Sequence, residues 1–414
     1  MKKKIVQAFS WDFAGSILGF GSSFLTTVIL ARILSPEDFG IVAVAMAFIL
    51  IFNIVSEYGL KQALIQAQHN DQLAYSSVFF FNLFFGVLLA ILTFLAAPFI
   101  ADYYESAQLT LILRMLSVTL VLNSVTVVQI AILSKELAFK ALSIRLIIAK
   151  VAAAIVGIAM AYNGFGVYAL IWQEIIFALL NAVLLWYVSP WRPNMEFSWI
   201  PLKRLYNFSI YLFFNRMLNE VIQRLDELII GKLFSLQLLG FFDRSNSISQ
   251  QINGVTSKSI YNVFFPVMSK IQDNQEEFER MYITVMTIIA IVSFGITGIA
   301  YLGSEAIIIG LFGSQWGPSV PIFEILMFKL FTYPASRFLN VALLSKGYAK
   351  QHFLFGLVRK ALRLSTFIIA FAYGFVPFLY ATVIVSFINI IFSNVLNNSY
   401  LDIDLVDQFK PLLI

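Results

Sequence analysis

Stretches of about twenty mainly apolar residues recur along the whole chain, divided by short polar breaks. They fall near 11–33, 39–60, 75–100, 109–133, 141–162, 166–188, 205–233, 238–268, 282–302, 318–344, 352–373 and 376–398. A helix needs about 20 such residues to cross a bilayer, and helices satisfy their own backbone in lipid. The pattern predicts an all-α polytopic membrane protein of about twelve transmembrane helices. The segment 303–320, GSEAIIIGLFGSQWGPSV, reads as a loop that dips into the interface.

The polar breaks alternate in charge. One set carries Lys2, Lys3 and Lys4, then Lys61, Lys135 and Lys140, then Arg192, Lys203 and Arg204. It continues through Lys270, Arg280, Lys346 and Lys350 to Lys410. The other set (ADYYESAQ, YNGFG, YGFV) has no Lys or Arg, with Arg32 and Lys232 at helix ends on that side. This is the positive-inside pattern, and it predicts an even number of spans with both termini cytoplasmic.

Composition strengthens that reading. The chain is 60% hydrophobic and 12% charged, against about 25% charged in soluble domains. The net charge of +5 is spread over short loops, so it does not point to nucleic acid. There is no Cys, which excludes disulfides and thiolate metal sites. No Walker A loop is present, and the only histidines, His69 and His352, lie far apart in sequence. No enzymatic activity is expected.

Two short motifs repeat. ARILSPEDFG (31–40) follows the first span and GKLFSLQLLG (231–240) follows the seventh, matching Ser35 with Ser235 and Gly40 with Gly240. AILSKELA ends the fourth span and ALLSKGYA the tenth, matching Lys135 with Lys346. Equivalent positions in the same order argue for internal duplication. The expected organisation is a six-helix bundle over 1–188 and a cytoplasmic linker over 189–204 containing Pro190 and Pro193. A second six-helix bundle follows over 205–400, and a tail over 401–414 resembles the start of a further span.

The candidate chemistry concentrates on span seven. Asn215, Arg216, Asn219, Glu220, Gln223, Arg224, Asp226 and Glu227 recur at helical spacing and form a polar stripe. A charge facing lipid at mid-membrane costs at least about 2.5 kcal/mol, so this stripe must face protein or water. Span eight repeats the spacing with Asp243, Asn246, Gln250, Asn253, Ser257 and Lys258, and the two stripes are expected to face one cavity. Arginine suits phosphate because its planar fork donates two hydrogen bonds. The functional reading is a hydrated, cationic vestibule that holds Arg216, Arg224 and Lys258, the amides Asn215, Asn219, Gln223, Asn246 and Gln250, and the acids Glu220, Asp226 and Asp243. Alternatively, Arg216–Glu220–Arg224 is a salt-bridge ladder that neutralises itself. Span one is small and neutral, with Asp12, Ser16, Ser23 and Thr26, and its Gly15 and Gly19 form a small-residue packing motif. Asn53 and Glu57 add polarity to span two, while Arg114 and Glu174 stand as isolated charges in spans four and six.

LARILSPEDFGIVAVA, WRPNMEFSW and DELIIGKLFSLQLLGFFDRS together resemble bacterial polysaccharide and O-antigen flippases, a branch of the multidrug/oligosaccharidyl-lipid/polysaccharide exporter superfamily. The resemblance implies two six-helix bundles around a central cavity, a bacterial cytoplasmic (inner) membrane, and transport of an undecaprenyl-pyrophosphate-linked oligosaccharide to the outer leaflet by alternating access. In that reading Arg216, Arg224 and Lys258 would attract the pyrophosphate, Asn215, Asn219, Gln223, Asn246 and Gln250 would hydrogen-bond sugars, and Glu220, Asp226 and Asp243 would balance charge or couple a cation. The partners would be that lipid-linked substrate, membrane lipids, a polysaccharide polymerase and a chain-length regulator. No cofactor is implied beyond coupling to a Na+ or H+ gradient. Two alternatives remain open: a cation-coupled drug exporter of the same fold, and a non-transporting scaffold of a polysaccharide assembly complex.

Overall fold

The structure, a computed structural model, describes residues 2–57, 59–67 and 71–409. These residues form helices and connecting turns, with no strand among them. In chain order the helices are α1 (Lys2–Ile33), α2 (Pro36–Glu57), α3 (Leu60–Gln66), α4 (Gln72–Tyr103), α5 (Gln108–Ser124), α6 (Val127–Lys135), α7 (Phe139–Tyr162) and α8 (Tyr168–Val188). They continue as α9 (Trp199–Leu233), α10 (Leu236–Lys270), α11 (Gln275–Leu302), α12 (Ser304–Phe312), α13 (Ser319–Ser345), α14 (Ala349–Tyr373), α15 (Phe375–Leu401) and α16 (Leu405–Phe409). The protein is an all-α, multi-pass membrane protein, and each predicted span has its helix.

The helix starts follow local capping chemistry. Ser35 and Asp38 form a reciprocal cap on α2: Ser35 Oγ accepts from Asp38 N–H at 3.2 Å, and Asp38 Oδ2 accepts from Ser35 N–H at 2.9 Å. Asp71 caps α4, Ser198 caps α9 and Asn274 caps α11. Pro201 does not exclude helix, contrary to the expected linker. It sits in the first turn of α9, where a missing N–H removes no intrahelical bond.

Three further differences have physical causes. Span four is broken after Ser124; Ser124 and Thr126 turn their hydroxyls onto the carbonyls of Val121 and Asn123, and Trp186 Nε1 donates to the freed Val125 carbonyl at 3.1 Å. The 303–320 segment is ordered as α12 and a 3-10 turn, and its Trp316 is fully buried. The unpredicted α3 packs Leu60, Ala63 and Leu64 against Val78, Phe79, Val128 and Leu202.

The chain divides into two compact units, Met1–Gly240 and Phe241–Ile414. In the first unit the linker is tied to the start of α4. Trp191 Nε1 donates to Gln72 Oε1 at 2.7 Å, and Asn194 and Ser198 N–H groups donate to Ser76 and Ser77 hydroxyls at 2.9 Å each. Helix α9 belongs to this unit and packs on α2. The compact-unit boundary thus falls one helix beyond the linker at 189–204. In the second unit α11, α13 and α15 surround a core of Met268, Phe278, Tyr282, Met286, Phe338 and Leu339.

The paired motifs do paired work. Ser35 and Ser235 each accept a backbone N–H at the start of a helix, from Asp38 and Leu238 respectively. Lys135 Nζ donates to Ala67 O at 2.5 Å, locking α6 to the turn before α4. Lys346 Nζ donates to Gln275 Oε1 at 2.5 Å and Leu401 O at 3.2 Å, locking α13 to the start of α11.

Candidate functional site

Helices α2 and α9 run antiparallel in the first unit; at one end α2 is held by the start of α10 and α9 by the turn after α4, and at the other end α2 and α9 are tied to each other. At the end bearing the loops without Lys or Arg, Gly40 lies against Leu236 and Gly240, and Gly240 lies against Pro36. A Cβ on either glycine would overlap the opposing carbonyl oxygen, so two backbones touch with no side chain between them. The contact is reciprocal at the repeat offset, residues 36 and 40 against 236 and 240. Tyr104 OH donates to Leu228 O at 3.0 Å, and Lys232 pairs with Glu105 at 2.9 Å. The Glu105 carboxyl is held below its usual range by its hydrogen bond and charge interaction with Lys232.

At the other end, Arg216 Nη1 donates to Glu57 Oε2 at 2.6 Å, while Lys61 lies 3.5 Å from the same carboxylate. Glu57 is the last residue of α2, where the helix dipole disfavours a carboxylate. The two cations offset that cost. Between the ends, Arg224 is held by Glu220 at 2.8 Å and Glu227 at 3.1 Å. Asn219 donates to Asn215 at 2.7 Å.

The predicted stripe on α9 therefore exists as a graded surface. Asn215, Arg216 and Gln223 are exposed, Asn219, Glu220 and Arg224 are half-buried, and Asp226 and Glu227 are buried. Its guanidiniums carry carboxylate partners, as the ladder reading expects, but one partner, Glu57, comes from another helix. In the second unit, Asp243 pairs with its neighbour Arg244, which sequence reasoning passed over. Asn246 is half-buried and Gln250 is exposed. The side chains of Asp12 and Lys258, and residues His69 and Lys410, lie outside those described.

Sequence reasoning also missed Lys150 and Arg145, both within span five. Arg145 is buried and donates to Asn181 Oδ1 at 2.6 Å. A lysine at the middle of an apolar span is itself a signal. The packing role of Gly15 holds: its backbone lies against Ser143 of α7.

Solved structures share this fold. The structure superposes on an inward closed conformation of the lipid II flippase MurJ with a TM-score of 0.74, at 15% identity, covering 99% of this chain and 90% of that one. The succinoglycan biosynthesis transport protein ExoT of Rhizobium meliloti (strain 1021) is 27% identical, over 81% of this chain and 68% of its own. The lipopolysaccharide biosynthesis protein WzxC of Escherichia coli (strain K12) is 20% identical, over 79% and 67% respectively. A family model described as polysaccharide biosynthesis protein matches residues 29–321, well over half of the chain, and the protein belongs to that family.

Proposed function

We propose that the protein carries an undecaprenyl-pyrophosphate-linked oligosaccharide from the cytoplasmic to the outer leaflet of a bacterial inner membrane by alternating access. The basic loops lie on the cytoplasmic side in this reading, so the Arg216 end of the α2/α9 pair faces the cytoplasm. The observation that carries the proposal is the Arg216–Glu57 tie. Arg216 is the most exposed guanidinium of the stripe, and its partner has a second cation, Lys61, already in place.

A pyrophosphate arriving from the inner leaflet exchanges with Glu57 for Arg216, because a dianionic group accepts the guanidinium fork in both of its donor directions. Glu57 keeps Lys61, so the exchange leaves no bare carboxylate. The exchange also releases α2 from α9 at their inner ends. Binding and the first conformational step are thereby one event. Arg224 stays neutralised by Glu220 and Glu227 and takes the phosphate only when that clasp loosens. Asn215, Asn219 and Gln223 offer amides to sugar hydroxyls on the same face. At the outer end the Gly40/Gly240 contact is the seal that must part for release.

Replacing Arg216 and Arg224 together by Gln is the test. Surface polysaccharide export should be lost while the protein remains in the membrane at normal level. Undiminished export in that variant sinks the assignment. Glu57→Gln should tighten glycolipid binding and slow turnover, because Arg216 is then free before the substrate arrives.

A further inference from the structure

A groove of about 400 Å³ lies in the first unit between the start of α9 and α4, with Leu60 of α3 beneath it. Its volume falls within the roughly 300–1,000 Å³ of small-ligand pockets. Helix α9 contributes Trp199, Leu202, Lys203 and Tyr206, at i, i+3, i+4 and i+7, so one face of its first turns forms one wall. Phe81 and Phe85, one turn apart on α4, form the other. The floor is closed, because Leu60 and Leu202 are buried in the core that joins α3, α4 and α6.

Aromatic rings follow one another along the groove. Phe85 lies 4.7 Å from Phe81, Phe81 6.4 Å from Trp199, and Trp199 5.1 Å from Phe197, centroid to centroid. Phe85 sits well inside the α4 span and Phe197 in the connector before α9. The aromatic wall therefore runs from hydrocarbon depth toward the membrane surface, where Trp and Tyr belong.

The polar groups of the groove are donors. Trp199, Lys203 and Tyr206 are exposed, and the indole N–H, ammonium and phenol make no hydrogen bond or ion pair among the described residues. Among those residues no carboxylate, amide or guanidinium lines the groove. Arg204 adds a second positive charge to the same turn of α9, while Lys61 of α3 is engaged by Glu57. Such a lining suits an acyl chain below a single phosphodiester. A sugar would find no amide or carboxylate here, and a pyrophosphate no guanidinium fork. A zwitterionic head group would bring its own cation toward Lys203, so an anionic one is favoured.

We propose that this groove holds one anionic phospholipid as a bound ligand, with an acyl chain along Phe85, Phe81 and Trp199 and its phosphodiester on Lys203. The lipid fills the space between α4 and the first turns of α9, and so fixes the start of the helix that carries Arg216. It is distinct from the transported glycolipid. An effect of this lipid on export rests on the transport reading above; the site itself does not.

Binding is measured on the purified full chain without glycolipid, so its outcome is independent of export. Delipidated protein returned to equimolar phosphatidylglycerol and phosphatidylcholine should retain phosphatidylglycerol selectively in native mass spectra. Lys203→Gln should weaken that retention about fivefold and Lys203→Glu at least about tenfold. Lys203→Arg should keep it, and Lys270→Glu, at an exposed lysine of the second unit, should leave it unchanged. In nanodiscs, phosphatidylglycerol with brominated acyl chains should quench tryptophan emission more than brominated phosphatidylcholine, and the difference should vanish in Trp199→Phe. Equal retention of the two lipids, wild-type retention in Lys203→Glu, or a quenching difference that survives Trp199→Phe overturns the proposal. Displacement of phosphatidylglycerol by a lower mole fraction of undecaprenyl phosphate also overturns it, and makes the groove a seat for the substrate's tail. Elution of each variant as wild type on size exclusion excludes misfolding as the cause. Undiminished export in the Arg216 and Arg224 double variant would sink the transport assignment and leave these lipid measurements untouched.

Discussion

Helices α1 and α9 lead the two halves of the repeat, and they spend their polar groups in opposite ways. On α1, Ser23 and Thr26 donate to their own helix backbone. Its Gly15 lies bare against Ser143, and its Gly19 carbonyl and Ser23 hydroxyl accept from Lys150 of α7. On α9 the polar groups reach other elements: Arg216 to Glu57 on α2, Lys232 to Glu105, and the Leu228 carbonyl to Tyr104. One leading helix joins a glycine contact to a lysine on backbone and hydroxyl oxygens, the other is tied by ion pairs at both ends. The hydropathy of the spans agrees. Among the described residues eight helical segments, one of them joining α5 and α6, are long and apolar enough by composition to cross a membrane, and α9, α10, α13 and α14, all in the second half of the repeat, are not among those eight.

The sharpest way to break this contrast is to fill the place where the two halves meet backbone to backbone. Gly40→Ala or Gly240→Ala puts a methyl into a carbonyl oxygen, and neither backbone can yield as a flexible side chain would. Overpacking of this kind costs about 1–3 kcal/mol or more. Cysteine probes placed at Val44 or Leu239, both buried beside this contact, in a chain free of native Cys, should become reactive from outside in both variants. Gly295→Ala and Gly298→Ala are the controls. Nothing lies within 4 Å of an added Cβ at either position, so each should be neutral or gain a few tenths of a kcal/mol from helix propensity.

These glycines also mark how far the sequence could be read. The offset of 200 between Gly40 and Gly240 was visible as repetition, because duplication preserves residue identity. That the two touch was not visible, since contact between distant segments leaves no periodicity. The twelve spans were legible because lipid demands long apolar helices. The break after Ser124 was not, because Trp186, 62 residues away, satisfies the carbonyl that makes it tolerable. The α9 stripe was legible from helical spacing alone. Its partner Glu57 was seen only as added polarity, and Lys150 escaped notice among the loop lysines.

The lysine locks test whether the halves stayed equivalent. Lys135 donates to the Ala67 carbonyl at 2.5 Å, and Lys346 donates to Gln275 and Leu401 and lies 4.6 Å from the Phe278 ring centroid. Charge-assisted hydrogen bonds contribute about 1.5–3 kcal/mol, so Lys135→Met and Lys346→Met should each lower stability within that range. Thermal unfolding in nanodiscs measures both, and a loss at only one of them would mean that the two locks are no longer equivalent. The turn that follows each lysine differs. Gly347 adopts φ +85° while Leu137 takes φ 57°, a left-handed backbone that costs a non-glycine residue about 1–2 kcal/mol. Gly347→Leu should be destabilising by about that amount. Leu137→Gly should be stabilising by no more than about 1 kcal/mol, the relief being partly offset by added freedom in the unfolded chain.

The smallest effect is expected at the Glu105–Lys232 tie, because Glu105 is exposed and salt screens such a pair. Its sign is nevertheless fixed. The hydrogen bond from Lys232 holds the folded-state carboxyl below its ordinary value, so the tie contributes fully above the ordinary carboxylate range. The contribution is lost as pH falls through the lowered value, when the protonated carboxyl no longer attracts Lys232. If the outer end of α9 is held by exchangeable charge, as its inner end is, acid below the ordinary carboxylate range at low ionic strength should raise reactivity of a cysteine at the buried Leu239 toward a reagent that labels thiols in acid. The rise should flatten in high salt and vanish in Glu105→Gln. Absence of any rise in the wild type would place the outer seal in the glycine contact alone, and the two ends of α2 would then differ in kind: backbone packing outside, exchangeable charge inside.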